Sequence, residues 1–172
     1  LHKEYRRQRQ MCIRDSAYSS KWHAHSVKNK KGVALERIDP DAATQDAANW
    51  TSASETVGYG TPGYQNSQYK DASSGGATGI EPPVWIEESG SYTVSYLLDR
   101  PGYSCRAFVF NTSGLRVADI SNHELLGISG KITWSGVANN GSPLQTGVYI
   151  FYAEIYHPEG TVKRFKKAFL IR

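Results

Sequence analysis

The chain is predicted to be all-β: a small β-sandwich over residues 84–172, preceded by a shorter, partial β unit. Three observations predict this. Runs of β-branched and aromatic residues alternate with period two through the second half of the chain. Turn residues (Gly, Pro, Asn, Ser) separate those runs at short intervals. No segment carries the apolar spacing of an amphipathic helix. Roughly 90 residues in about seven strands match a small sandwich in size, and they can bury enough surface to fold alone.

The N-terminus has to be set aside before the elements are read. Met11-Cys12-Ile13-Arg14-Asp15-Ser16 resembles the in-frame translation of a transposase sequencing adaptor (ATG TGT ATA AGA GAC AG). Residues 1–16 are therefore expected to be a scar with no stable structure, and native sequence to resume near Ala17. A natural basic arm is the alternative. Residues 17–69 are polar and rich in turns, with one strand signal at Gly32–Ile38, where Val33 and Leu35 alternate with Ala34 and Glu36. Residues 70–83, closed by Pro82-Pro83, read as a linker by their Gly and Ser content, and few contacts are expected to cross it. On that reading 84–172 alone should unfold cooperatively, and 17–69 alone should be disordered or aggregate.

The strands of 84–172 are better marked. Ser91–Leu98 places Tyr92, Val94, Tyr96 and Leu98 on one face. Pro101-Gly102 turns the chain into Tyr103–Phe110, and Asn111-Thr112-Ser113-Gly114 turns it into Leu115–Ile120. In Lys131–Ser135, Ile132 and Trp134 share a side. Gly147–Tyr156 is a β-branched and aromatic run, His157-Pro158-Glu159-Gly160 a turn, and Thr161–Ile171 the last strand. In that strand Lys163, Phe165 and Lys167 share one face, with Arg164 and Lys166 on the other. Charge on both faces marks a guarded sheet edge.

Charge and cysteine content narrow the functional classes. The formal charge is +4, but residues 1–16 supply a net +3 of it, and Lys21, Lys28, Lys30 and Lys31 supply four more positives. Residues 32–172 are net acidic, so no continuous basic surface for nucleic acid is implied. With Cys12 inside the scar, Cys105 is left alone in an apolar run and reads as a small core residue. No apolar stretch approaches a membrane span. His23 and His25 would share a strand face, yet no third zinc ligand is spaced to join them. Gly127-Ile128-Ser129-Gly130-Lys131 fails the phosphate-loop pattern, since Leu125 stands where a glycine is needed and Ile132 where Ser or Thr is. No G-x-S-x-G elbow exists, and His123 near Ser121 and Glu124 reads as turn chemistry.

Two family resemblances cover most of residues 17–172. Lys21-Trp22-His23, Leu35-Glu36-Arg37-Ile38, Asn49-Trp50 and Thr61-Pro62-Gly63-Tyr64 with Asn66-Ser67 occur in the order seen in bacterial lamin-tail domains. The set resembles the C-terminal half of such a domain, an Ig-like sandwich, and implies a partial domain with an exposed edge. "ITWSG", "NNGSPLQTGVYIFYAEIY" and "VKRFKKAFLI" resemble the Ig-like domain of flagellar hook-capping type, found at the C-termini of secreted bacterial proteins. Ser135 departs from that family's usual Asp. Related tails carry an acidic calcium loop, but Ile80–Ser89 has Glu81, Glu87 and Glu88 without a D-x-D-G-D series, so no cofactor or metal is expected.

The residues expected to matter are structural ones: Trp50, Gly63, Trp134, Gly147 and Tyr149. Gly63 can supply a positive φ in its turn, and Gly147 suits a tight start to a strand. Trp134 and Tyr149 each pair an apolar body with one polar handle, and Trp134 is expected to be largely buried between the sheets. Arg37 can pair with Asp39, Asp41 or loop backbone. The resulting expectation is a non-catalytic structural or adhesive unit of a larger secreted or cell-surface bacterial protein, extracellular, with that parent's upstream domains as partners. Two alternatives stand beside it. "GVYIFYAEIY" with "GTVKRFKKAFLIR" is similar to the sorting domains of the secretion system of gliding bacteria, which would make the secretion machinery or cell-surface components the partners. Or the chain accompanies an enzyme whose catalytic part lies elsewhere.

Overall fold

A computed structural model describes residues 17–70 and 77–172. The expectation for residues 1–16 falls outside the described residues. Among those that are described, regular structure consists of ten strands and three single 3-10 turns, with no α-helix. The fold is all-β, and its main body is an Ig-like sandwich.

The sandwich has two antiparallel sheets. One is four-stranded in the order β10 (Val162–Ile171), β9 (Gly147–Tyr156), β6 (Ser104–Phe110), β7 (Arg116–Leu125). The other centres on β5 (Ser91–Leu97), paired along its length with β8 (Ser129–Trp134). The second side of β5 is taken in turn by β4 (Val84–Ile86) and β3 (Gly79–Ile80), with Glu81 N–H donating to Ser95 O between them. Pro82-Pro83 breaks this strand in two because proline has no N–H to give the ladder. β3 lies inside the segment read as a linker, and Ile80 is a buried core residue, so the sandwich begins earlier than residue 84.

The inward faces follow the alternation of the sequence. Tyr92, Val94, Tyr96 and Leu98 are buried, facing Tyr103, Cys105, Ala107 and Val109 of the β6 strand and its approach, and Phe151, Ala153 and Ile155 of β9. Burial pushes the Cys105 thiol up to about 12, so it is an inert core group. β10 is a sheet edge, as its charge pattern predicts. Lys163 and Lys167 lie on the inward-facing row with Phe169 and Ile171, and Arg164 and Lys166 on the outward row. Facing β6, β7 carries three register shifts, at Cys105/Arg106, Ala107/Phe108 and Val109/Phe110. The first leaves His123 as an extra residue opposite the pair, at φ 68°.

Residues 17–70 form a smaller body around β1 (Leu35–Arg37) and β2 (Trp50–Ser52). Its strand is shorter than the sequence signal at Gly32–Ile38. Apolar burial here is slight, and the interior is largely polar: Glu36, Asn49, Ser52, Ser54 and Gln68 are all buried. The expectation that His23 and His25 share a strand face does not hold. His23 follows the 3-10 turn Ser20–Trp22, and its Nδ1 is 2.9 Å from Ser52 Oγ.

Candidate functional site

Two places gather the polar chemistry of the chain: the seam between the N-terminal body and the sandwich, and the β10 edge. The seam is built on the stretch from Leu125 to Gly130, where the chain leaves β7 and enters β8. Ser54 Oγ donates to Leu125 O at 3.0 Å, Gln68 Nε2 to Leu126 O at 3.1 Å, and Ile128 N–H to Ser67 O at 2.9 Å. Thr56 Oγ1 lies 3.2 Å from Tyr96 Oη, which also accepts from Gly127 N–H. These contacts cross the segment read as a linker, so the expected paucity of contacts is corrected. The reason is backbone satisfaction: Leu125 and Leu126 are fully buried, and their carbonyls need donors.

The two glycines of the failed phosphate-loop pattern serve this seam. A Cβ on Gly127 would lie 2.5 Å from Ser67 O, and one on Gly130 would meet the Tyr96 hydroxyl at 2.4 Å and its ring at 2.8 Å. Glycine lets Tyr96 lie across its partner strand at the Tyr96–Gly130 pair.

On the N-terminal side, Glu36 organises the seam. Its carboxylate accepts from Thr61 Oγ1 at 2.6 Å, Ser67 Oγ at 2.7 Å and Gln68 N–H at 3.2 Å. Those bonds hold Ser67 and Gln68 in place for the sandwich. Arg37 reaches loop backbone, donating to Pro40 O and Ala42 O.

The five structural residues are dispersed. Trp50 is half-buried, stacks on Trp22 at 5.9 Å and donates its indole N–H to Thr44 O. Gly63 has φ 78° in the Thr61–Tyr64 turn, a value that favours glycine. Gly147 departs from its expected role: a Cβ there meets only the Tyr149 ring at 3.8 Å, ordinary contact, so nothing crowds it. Tyr149 is half-buried, with Oη donating to Gln145 O and its ring 6.2 Å from Phe169.

Trp134 is half-buried, not largely buried. It closes the end of the core against Tyr92 (5.5 Å) and Phe169 (6.3 Å) and donates Nε1–H to Val137 O. Trp134→Ala should accordingly cost about 2–3 kcal/mol, short of a fully enclosed aromatic. Urea unfolding of the variant measures it; an unchanged midpoint would contradict the packing.

At the β10 edge, Lys163 Nζ donates to Thr78 Oγ1 and Asp99 Oδ1 (2.6 and 3.0 Å) and lies over the Tyr103 ring. The Thr78 hydroxyl, then Lys163, hold the Asp99 carboxyl well below the usual carboxylate range. Arg164 pairs with Glu154 at 3.1 Å. Lys166 and Lys167 have no partner among the described residues. Among those residues no group of three or more His, Cys, Asp or Glu side chains is placed to hold a metal ion. None of their helices is long and apolar enough to cross a membrane.

No family profile matches the chain, and no curated protein matches it in sequence. Among solved structures, it is similar to PorZ, an essential bacterial surface component of the type-IX secretion system of Porphyromonas gingivalis. Identity is 16%, the match covers 61% of this chain, and the TM-score is 0.34. The chain spans only 13% of that protein's length.

Proposed function

We propose that the chain is a non-catalytic spacer or presentation unit of a larger secreted or cell-surface bacterial protein. The observation that carries this reading is the seam. The Glu36 carboxylate, the Ser54 hydroxyl and the Gln68 Nε2 of the N-terminal body are committed to hydrogen bonds that tie this body internally and to the sandwich. A spacer needs such a tie, because two units joined only by a Gly/Ser segment would pivot freely. The lamin-tail and hook-capping resemblances accord with it, since both describe accessory domains.

A second reading, an export signal, is favoured by one feature: a basic edge strand with Lys166 and Lys167 free of partners among the described residues. The two readings separate on those lysines. As edge guards they should tolerate Lys166→Gln and Lys167→Gln with stability changes near zero. With a reporter enzyme fused ahead of residues 17–172 in a host that has the sorting apparatus, the spacer reading expects release unaffected by the double substitution. Release into the medium that depends on these charges would overturn it in favour of export.

A further inference from the structure

A groove of about 720 Å³ runs along the outside of the seam, between the 25–33 loop and the 122–123 bulge of β7. Its walls include Lys28, Lys31, Tyr59, Asn122, His123 and Tyr156, and no carboxylate lines it. The described residues contain two non-glycine positions at positive φ, Tyr59 (63°) and His123 (68°), and both are in these walls. Left-handed backbone is unfavourable for a tyrosine and uncommon for a histidine, and residues held there gather at ligand clamps. Each is pinned from outside the groove. Tyr59 is held through Tyr59 N–H to Ser54 O and Ala34 N–H to Tyr59 O, and His123 by the register shift between β6 and β7.

The chemistry of the walls is specific in kind. Lys28 and Lys31 are exposed and their ammonium groups are unpaired among the described residues, whereas Lys30 is bound to Ser20 O. His123 packs edge-on to Tyr156 at 5.6 Å and shares a hydrogen bond with Asn122 Oδ1. The buried Tyr156 hydroxyl makes no hydrogen bond among the described residues. Burial, then a hydrogen bond to Glu55 and the charges of Glu55 and Glu124, push the Tyr59 phenol up to about 12, and both carboxylates act from outside the groove lining. The charged side chains of the lining itself are Lys28 and Lys31, on a chain that is net acidic from residue 32 onward.

We infer that this groove binds an acidic polysaccharide, with Lys28 and Lys31 pairing its carboxylates and Tyr59, His123 and Tyr156 lying against its sugar rings. Lysines supply point charges, aromatic faces accept the C–H surface of pyranose rings, and the Asn29 and Asn122 amides suit sugar hydroxyls. An open groove also accommodates a chain that continues at both ends, as a polymer does. The inference goes beyond the spacer reading, which needs no ligand, and stands or falls separately from it.

Amide chemical shifts of the full chain decide it, titrated at low salt with a polyuronate hexasaccharide, a neutral glucan hexasaccharide and inorganic phosphate. Shifts at residues 59, 122, 123 and 156 are expected with the polyuronate only, weakening as salt rises. Lys28→Gln with Lys31→Gln should weaken binding about tenfold or more, two charge contacts of roughly 0.7 kcal/mol each. His123→Gly adds a control that a purely structural bulge would not pass. It relieves the left-handed backbone, so the melting temperature should hold or rise while affinity falls. Overturning results are an unresponsive groove, equal shifts with the neutral glucan, or phosphate reproducing the polyuronate shifts at equal concentration. Wild-type affinity in the lysine double variant or in His123→Gly would overturn it equally.

Discussion

Gly127→Ala should loosen the N-terminal body from the sandwich while leaving the sandwich core folded. The added methyl would lie 2.5 Å from Ser67 O and 3.2 Å from Ser129 O, both backbone atoms that cannot rotate away. Relief requires moving the 67–68 backbone outward. That lengthens the Ile128 N–H to Ser67 O bond and draws the Gln68 amide from Leu126 O. Overpacking of this kind costs about 1–3 kcal/mol. Because the contact joins two bodies, the loss should be local. Hydrogen exchange at Ala53, Ser54 and Gln68 should accelerate roughly tenfold to hundredfold, the equivalent of that free energy. Amides in β9 should change little. Unaltered protection at Gln68 would show that the seam is not held as the geometry implies.

What the sequence reveals and what it hides divide along range. The β5 alternation of Tyr92, Val94, Tyr96 and Leu98 is legible because period-two burial is written within one strand. The same holds for β9, whose bounds match the run from Gly147 to Tyr156, and for β10 as an edge, marked by lysines on both faces. β3 and β4 escape notice. Gly79-Ile80 hides in a Gly-rich stretch, and Val84-Trp85-Ile86 is short and exposed; both become strands only because β5 offers a free side. Trp134 shows the limit of a face assignment: it points inward beside Tyr92, but at the end of the strand, where the core runs out.

The seam is the least legible part. Ser54 and Gln68 lie in a stretch that reads as polar and rich in turns, and Glu36 in its one strand signal, yet all three are buried, Ser54 and Gln68 by partners far along the chain. Ser54 meets Leu125 and Gln68 meets Leu126 across intervals of 71 and 58 positions. The Gly127-Ile128-Ser129-Gly130 motif invites comparison with a phosphate loop, when its glycines answer a steric demand from Ser67 and Tyr96. No local pattern announces the left-handed His123 either, since its conformation follows from the register of β6 against β7.

The N-terminal body has so little apolar core that one carboxylate should decide its stability. Glu36 is 4% exposed and accepts hydrogen bonds from Thr61 Oγ1, Ser67 Oγ and Gln68 N–H. Glu36→Ala leaves three donors without an acceptor, the Thr61 and Ser67 hydroxyls part-buried and the Gln68 N–H buried, and an unsatisfied buried donor is costly because water no longer solvates it. The expected loss is about 2–4 kcal/mol, large against a domain stability of about 5–15 kcal/mol. Glu36→Gln preserves shape and one carbonyl oxygen but turns a donor toward groups that themselves donate. The Thr61 and Ser67 hydroxyls can rotate to accept; the Gln68 N–H cannot. The glutamine variant should therefore fall between wild type and alanine in urea midpoint. The alanine variant should also lose exchange protection at Ser54 and Gln68, since Ser67, which it frees, receives Ser54 N–H at 2.8 Å. An alanine variant that unfolds at the wild-type midpoint would mean the carboxylate network contributes nothing, and that the N-terminal body is held by the sandwich alone.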